Sequence, residues 1–225
     1  MSDYSVLCKR LAYKFKDLDL LVTALTHRSA NKQHYERMEF LGDAILNLII
    51  TDDLYHRFSD ASEGKLSRLR ASMVKGETLA QIAKFIELGD FLHLGSGELK
   101  SGGFRRDSIL ADVFESIIGA IYLDGGYEQT RQFVLTMFKE RLESIDITVD
   151  LKDPKTRLQE LLQAKGCDLP VYEILSTSGQ AHNQMFEVSC SAALSENPAQ
   201  GVGNSRRKAE QEAAKQMLEQ LELVK

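Results

Sequence analysis

Glu36-Arg37-Met38-Glu39-Phe40-Leu41-Gly42-Asp43-Ala44-Ile45 is the stretch on which the reading of this chain turns. Its carboxylates stand at i, i+3 and i+7. On a helix they project from one face, within about 60° of one another. The residues between them, Met38, Phe40, Leu41, Ala44 and Ile45, are mostly apolar, and a long helix is expected over 36–58. Like charges at helical spacing repel by roughly a few tenths of a kcal/mol per pair. No lysine follows at the spacing that would relieve them. Two readings fit: a solvated polar stripe, or a divalent-cation site that removes the repulsion.

A second acidic pair repeats the geometry. Asp112 and Glu115 are i, i+3, and the other face of their helix carries Leu110, Val113, Phe114, Ile117, Ile118 and Ile121. If the two helices pack side by side, four or five carboxylates converge. Such oxygen donors suit Mg²⁺ or Mn²⁺ rather than Zn²⁺. Spacing alone does not bring the two helices together.

Around these helices the chain is ordinary globular material: 225 residues, 43% hydrophobic and 27% charged, which allows one or two domains. Its three prolines, Pro154, Pro170 and Pro198, all lie in the last third. The long proline-free stretch before them reads as helical. Helices are expected over 18–26, 36–58, 65–87 with a break near Gly76, 108–122 and 128–145. Gly95, Gly97, Gly102 and Gly103 mark one long loop, Gly125-Gly126 another break, and no strand is expected before residue 150.

The tail reads differently. Asp153 is placed to cap a helix with Pro154 at its first position, and Leu158, Leu161 and Leu162 give that helix an apolar face. Phe186, Val188 and Cys190 alternate with polar residues, a strand pattern. Strands are also expected over 171–176 and 200–203, and a last helix over 205–221. The order is αβββα, following a boundary near 147–152.

At the start of the last helix stands Ser205-Arg206-Arg207-Lys208. Three adjacent cations repel one another and face the positive end of the helix dipole. A bound phosphate reverses both penalties; an exposed charge run without consequence is the other reading. The cluster is local, since from Lys152 onward nine Lys/Arg stand against ten Asp/Glu.

Several function classes fall away. An odd number of cysteines, at 8, 167 and 190, argues for reduced thiols and against a disulfide scaffold or zinc ribbon. No apolar core of leader length stands between Met1 and Lys14. The longest apolar run, 40–50, is broken by Asp43 and Asn47 and is too short to span a bilayer. No P-loop, His-Asp pair or metal-spaced histidine is present. A cytoplasmic protein with no membrane partner and no nucleotide cofactor is expected.

These motifs resemble those of bacterial ribonuclease III. The resemblance rests on Glu36-Arg-Met-Glu39-Phe-Leu-Gly-Asp43-Ala, on Ala111-Asp112-Val-Phe-Glu115-Ser-Ile-Ile-Gly and on the loop Gly97-Glu98-Leu-Lys-Ser-Gly-Gly. The tail resembles a double-stranded-RNA-binding domain through Lys155-Thr-Arg-Leu-Gln159-Glu160, Gly179-x-x-His182-x-x-x-Phe186 and Arg206-Arg207-Lys208-Ala209-x-x-x-Ala213-Ala214. The resemblance spans nearly the whole chain. It implies an all-α endonuclease and dimerisation domain over 1–147, a linker over 148–152, and a small α+β (αβββα) RNA-binding domain over 153–225.

By the same resemblance Glu39, Asp43, Asp112 and Glu115 hold Mg²⁺, for which Mn²⁺ can substitute, and Asp43 and Glu115 are catalytic. Glu36 and Glu63 support, and Glu98 ranks below them. Phe40 sits at the contact of a homodimer. Gln159, Glu160, His182, Ser205, Arg206, Arg207 and Lys208 face double-stranded RNA, read by shape and 2′-hydroxyls over about 16 bp. Products are short duplexes with 5′-phosphates, 3′-hydroxyls and two-nucleotide 3′ overhangs, and ribosomal precursors, some messenger RNAs and small RNAs are the expected substrates. Two residues depart from the pattern. Tyr35 stands where asparagine is common, and Glu210 replaces a frequent lysine. A non-cutting RNA scaffold, or an all-α metal phosphatase with an RNA-binding tail, are the competing readings. The intact carboxylate set disfavours the first, and the missing phosphatase motif the second.

Overall fold

The computed structural model describes residues 4–147, 153–179 and 184–223. The chain divides into two compact units, Met1–Val149 and Asp150–Lys225. The expected linker, 148–152, and His182 lie outside the described residues.

The first unit is helical: α1 Ser5–Arg10, α2 Leu18–Ala24, α3 Glu36–Arg57, α4 Glu63–Val74, α5 Gly76–Phe85, α6 Ser96–Lys100 and α7 Asp107–Glu143. Its core forms where α3 and α7 lie together. Ile45, Leu46, Ile49, Ile50 and Leu54 of α3 face Val113, Phe114, Ile117, Ile118 and Ile121 of α7, all buried. Their spacing gives each helix an apolar stripe about 100° wide. The buried hydroxyl of Ser116 donates to the Ala24 carbonyl at 2.7 Å and ties α2 to α7.

Asp124 locks the entry to α2. It accepts from the Tyr13 hydroxyl at 2.7 Å and from the backbone N–H groups of Lys16 and Asp17 at 3.0 and 2.9 Å. Burial opposes its charge, but these donors outweigh that and hold its carboxyl below the usual range.

Several expectations are refined. The break near Gly76 separates α4 from α5. The two helices expected around Gly125-Gly126 form one run interrupted at Gly126, whose φ of 77° needs glycine. The glycine-marked loop is not wholly loop: it holds α6 and a 3₁₀ turn, Gly103–Arg105. The Glu98 carboxylate fastens this piece to Arg106 at 3.1 Å, a tertiary tie that overrides weak local propensity. Helix α1 carried no sequence signal. It is short and lacks a side-chain cap, and its buried Leu7 and the bond from Arg10 to the Ile86 carbonyl at 3.2 Å hold it.

The second unit runs α8 Pro154–Ala164, β1 Val171–Ser178, β2 Met185–Ser191, β3 Ala199–Gly203 and α9 Arg206–Leu223. The sheet is antiparallel in the order β1-β2-β3, with Val188 opposite Ile174 and Gly201 and a bulge at Ile174/Ser176. Leu158 and Leu162 of α8 and Ala209, Ala213, Ala214 and Met217 of α9 pack with Val188 and Cys190 beneath it. Asp153 caps α8 as expected, accepting from the Thr156 N–H at 3.1 Å.

Candidate active site and nucleic-acid interface

The acidic site exists because α3 and α7 touch backbone to backbone. A Cβ on Gly42 would stand 1.8 Å from the Glu115 carbonyl oxygen, and one on Gly119 would stand 2.3 Å from that of Met38. Glycine at both positions permits the contact. The crossing brings Glu39 and Asp43 of α3 into the field of Asp112 and Glu115 of α7.

The electrostatics follow from that crowding. Burial first, then the charges of Asp43, Glu39 and Asp112, push the pKa of Glu115 up to about 8. Glu39 is raised by burial and then by Asp112, Glu36 and Asp43. Asp112 is also raised, chiefly by burial, although a hydrogen bond from Tyr35 and the proximity of His27 pull the other way. Each carboxylate disfavours charge on the others, and a divalent cation inverts that logic. The donors are all oxygen, so the set fits a hard cation of the Mg²⁺ or Mn²⁺ class. Among the described residues no three such heads are closed around a common point; they act on one another through space.

A cavity of about 680 Å³ opens on this face, lined by Tyr35, Glu36, Glu39 and Asp112 and by His27, Arg28, Glu98 and Arg106. Glu36 pairs with Arg28 at 3.4 Å. Glu98 pairs with Arg106 on the cavity wall. Asp43 is exposed and accepts from the Asn47 amide at 2.8 Å. Glu63 stands apart from the cavity lining, exposed at the start of α4, where it accepts from the Ser67 hydroxyl at 2.7 Å. Phe40 is 82% exposed and heads an apolar row on α3 with Leu48 and Tyr55.

Sequence reasoning missed Tyr35, His27, Arg28 and Arg106 as cavity residues. Tyr35 is only 4% exposed, and its ring lies 5.8 Å from that of His27. Its backbone N–H donates to the Thr26 carbonyl at 3.0 Å, which fixes it beside the acidic helix. The one available signal was its departure from asparagine just before Glu36. The arginines come from segments whose approach no local pattern encodes.

In the second unit Gln159 and Glu160 are exposed on α8. Arg206, Arg207 and Lys208 are exposed in the first turn of α9. The Ser205 hydroxyl accepts from the Lys208 N–H at 3.3 Å and so caps that helix. Glu210 is buried, and its carboxylate receives Lys155 Nζ at 2.6 Å and Arg206 Nε at 2.8 Å. Burial alone would raise its pKa; the two cations win and lower it.

Comparison with known proteins agrees with this layout. A family model described as Ribonuclease-III-like matches residues 17–142, and one described as the double-stranded RNA binding motif matches residues 154–221. Ribonuclease 3 of Vibrio parahaemolyticus serotype O3:K6 is 58% identical over 213 residues, covering 95% of each chain. Ribonuclease 3 of a Marinomonas species, strain MWYL1, is 56% identical over 219 residues, 97% of this chain and 96% of that one. The crystal structure of the ribonuclease III nuclease domain of Campylobacter jejuni superposes with a TM-score of 0.62 at 42% identity, covering 65% of this chain and all of that one. A second structure of that domain, which concerns flexibility in a region involved in dimer formation, gives 0.60 at 42% identity, covering 61% of this chain and 97% of that one. Among the described residues no helix is long and apolar enough to cross a membrane. A helical nuclease unit with crowded carboxylates, followed by an RNA-binding unit, thus carries family matches along its length: the chain belongs to the ribonuclease III family, metal-dependent endonucleases of double-stranded RNA.

Proposed function

We propose that residues 1–147 are the catalytic and dimerisation domain, with Glu39, Asp43, Asp112 and Glu115 as the ligands of Mg²⁺, for which Mn²⁺ can substitute. The observation that carries this is the backbone contact of α3 with α7 at Gly42 and Gly119, which sets Glu115 half-buried among Asp43, Glu39 and Asp112, so that burial first and these charges second push its pKa up to about 8. These four carboxylates would hold the ion, and the chemistry it would supply there is activation of a water near neutral pH and compensation of the charge developing on the phosphodiester. The chain's own residues do the rest. Asp43 and Glu115 flank the reacting phosphate, Tyr35 orients Asp112 by its hydrogen bond, and Glu36 steadies the cavity edge through Arg28. Glu63, outside the cavity lining, is with Glu36 a supporting residue for cleavage or product handling. Neither a histidine base nor a serine nucleophile is required.

Residues 153–225, beyond the 148–152 linker, grip duplex RNA by shape. Gln159 and Glu160 face one minor groove. Ser205, Arg206, Arg207 and Lys208 meet the phosphates across the major groove, and His182, which lies outside the described residues, is assigned to the next minor groove by the family resemblance alone. Two copies assemble through the exposed Phe40 on α3; the Campylobacter jejuni nuclease domain likewise has a region involved in dimer formation. The setting is the cytoplasm, with processing of ribosomal precursors, messenger RNAs and small RNAs as the task.

The test is cleavage of a long RNA duplex with Mg²⁺ and then with chelator, reading the ends. Short duplexes with 5′-phosphates and two-nucleotide 3′ overhangs, only with metal, are expected. Tight binding with no cutting in Mg²⁺ or Mn²⁺ would make the protein a scaffold.

A further inference from the structure

Glu210 sits one turn into α9, inside the cationic cluster that opens it. Its side chain is only 11% exposed, and each oxygen takes one cation from a different helix. Oε1 receives Arg206 Nε, four residues back on α9, and Oε2 receives Lys155 Nζ from the first turn of α8. Lys155 is further enclosed by the Tyr172 ring, 4.4 Å from its nitrogen. Among the described residues Arg207 and Lys208 have no ion pair, and both are exposed. The cluster therefore holds cations of two kinds. Two share one buried anion, which cancels one of their two charges, and two stand without an ion pair.

We propose that Glu210 sets the affinity of this surface for duplex RNA, by holding Arg206 and Lys155 in one shared ion pair that weakens the phosphate contact of Arg206 and leaves most of it to Arg207 and Lys208. This rests on the reading of α8 and α9 as the duplex-facing surface. The physical reason is counterion release. The salt dependence of binding counts the phosphates neutralised by free cations, and a cation bonded to a carboxylate at 2.8 Å presents a phosphate with a dipole in place of a charge. The pair also costs the RNA an approach to an anion. Glu210 is not the only tie between the two helices. Gln211 donates to the Asp153 carboxylate at 2.7 Å and accepts from the Lys155 N–H at 3.2 Å. The charge on Glu210 can thus be removed while the α8–α9 contact is kept.

The experiment is a salt titration of binding between the full chain and a fixed RNA duplex, in chelator so that nothing is cut. Glu210→Gln is expected to tighten binding severalfold and to steepen the salt slope by about one, as the net positive charge of the cluster rises by one. Arg207→Ala and Lys208→Ala should each weaken binding and lower the slope by about one. Arg206→Ala should cost much less than either in the otherwise unchanged chain, and as much as Arg207→Ala once Glu210 is glutamine. Weaker binding by Glu210→Gln at an unchanged melting temperature would overturn the proposal, making Glu210 an aid to binding. Should that variant melt early, the comparison of Arg206→Ala with Arg207→Ala decides alone, and equal losses overturn the proposal. If neither Arg207→Ala nor Lys208→Ala alters binding, the surface reading itself has failed.

Discussion

Gly42 and Glu115 are in backbone contact, with the carbonyl oxygen of Glu115 occupying the place a Cβ on residue 42 would need, 1.8 Å away. The two halves of the acidic site are therefore held in place by the absence of a methyl group. Gly42→Ala must push α3 and α7 apart. Overpacking of this kind costs about 1–3 kcal/mol, and a displacement of roughly 1 Å between paired catalytic groups costs on the order of 100-fold in rate. Urea unfolding and a cleavage assay on one duplex, run on the same preparation, check both. A variant with native stability and rate would mean the helices slide freely.

Glu115 makes the metal-free protein pH-sensitive. Its pKa is about 8 in the folded chain against about 4.3 for an ordinary glutamate. Between those values the folded chain keeps a proton that the unfolded chain has shed. This group's contribution to stability is therefore full below about 4.3 and is lost as pH rises through about 8. Glu115→Gln removes that loss. In chelator its melting temperature should exceed that of the unaltered protein at pH 9, with the gap closing towards pH 4. The variant should also lose cleavage and the Mg²⁺-induced rise in melting temperature while still binding RNA. Normal cutting by this variant would remove Glu115 from the site.

Tyr35 acts on the acidic cluster through a hydrogen bond to Asp112. Its hydroxyl lowers the carboxyl pKa that burial raises. Tyr35→Phe keeps the buried ring and deletes the donor. Groups of this kind typically change metal affinity by about 10–100-fold. The expected result is slower cleavage at low Mg²⁺, recovered at high Mg²⁺, with no change in RNA affinity. An unaltered Mg²⁺ titration would show the hydroxyl to be idle.

Phe40 is 82% exposed on a helix whose opposite side forms the core. Burial of an aromatic ring removes about 150–250 Å² from water, a large gain for one side chain. Phe40→Asp should convert a dimer into monomers in sedimentation while leaving the circular dichroism of the helical unit unchanged. A variant that sediments as the unaltered protein does would place the dimer contact elsewhere.

Much of this molecule is legible in its residues, and the illegible parts share a cause. The long helices and the αβββα tail follow from periodicity and from the punctuation at Gly76, Gly126 and Asp153-Pro154, all local signals. The carboxylates of α3 and α7 could be named from their spacing, because i, i+3 geometry is a property of one helix. Their meeting was not local: it depends on Gly42 and Gly119, which look like any helical glycines until a partner helix lies against them. In the sequence Tyr35 shows only as a departure from asparagine, because its hydrogen bond is to a residue far along the chain. Glu210 was read as a missing cation, whereas the structure shows an anion with two partners. Helices α1 and α6 are too short to announce themselves and exist through contacts with distant segments.

Phe40 follows Glu39 directly and precedes Asp43 by less than one turn of the same helix. A small molecule lodged against Phe40 would therefore be levering the very rod that carries Glu39 and Asp43, the proposed metal ligands. Inhibition could be achieved from that seam by a compound with no affinity for metal or phosphate, which frees its design from the charged, poorly permeant chemistry that an acidic nuclease pocket otherwise demands.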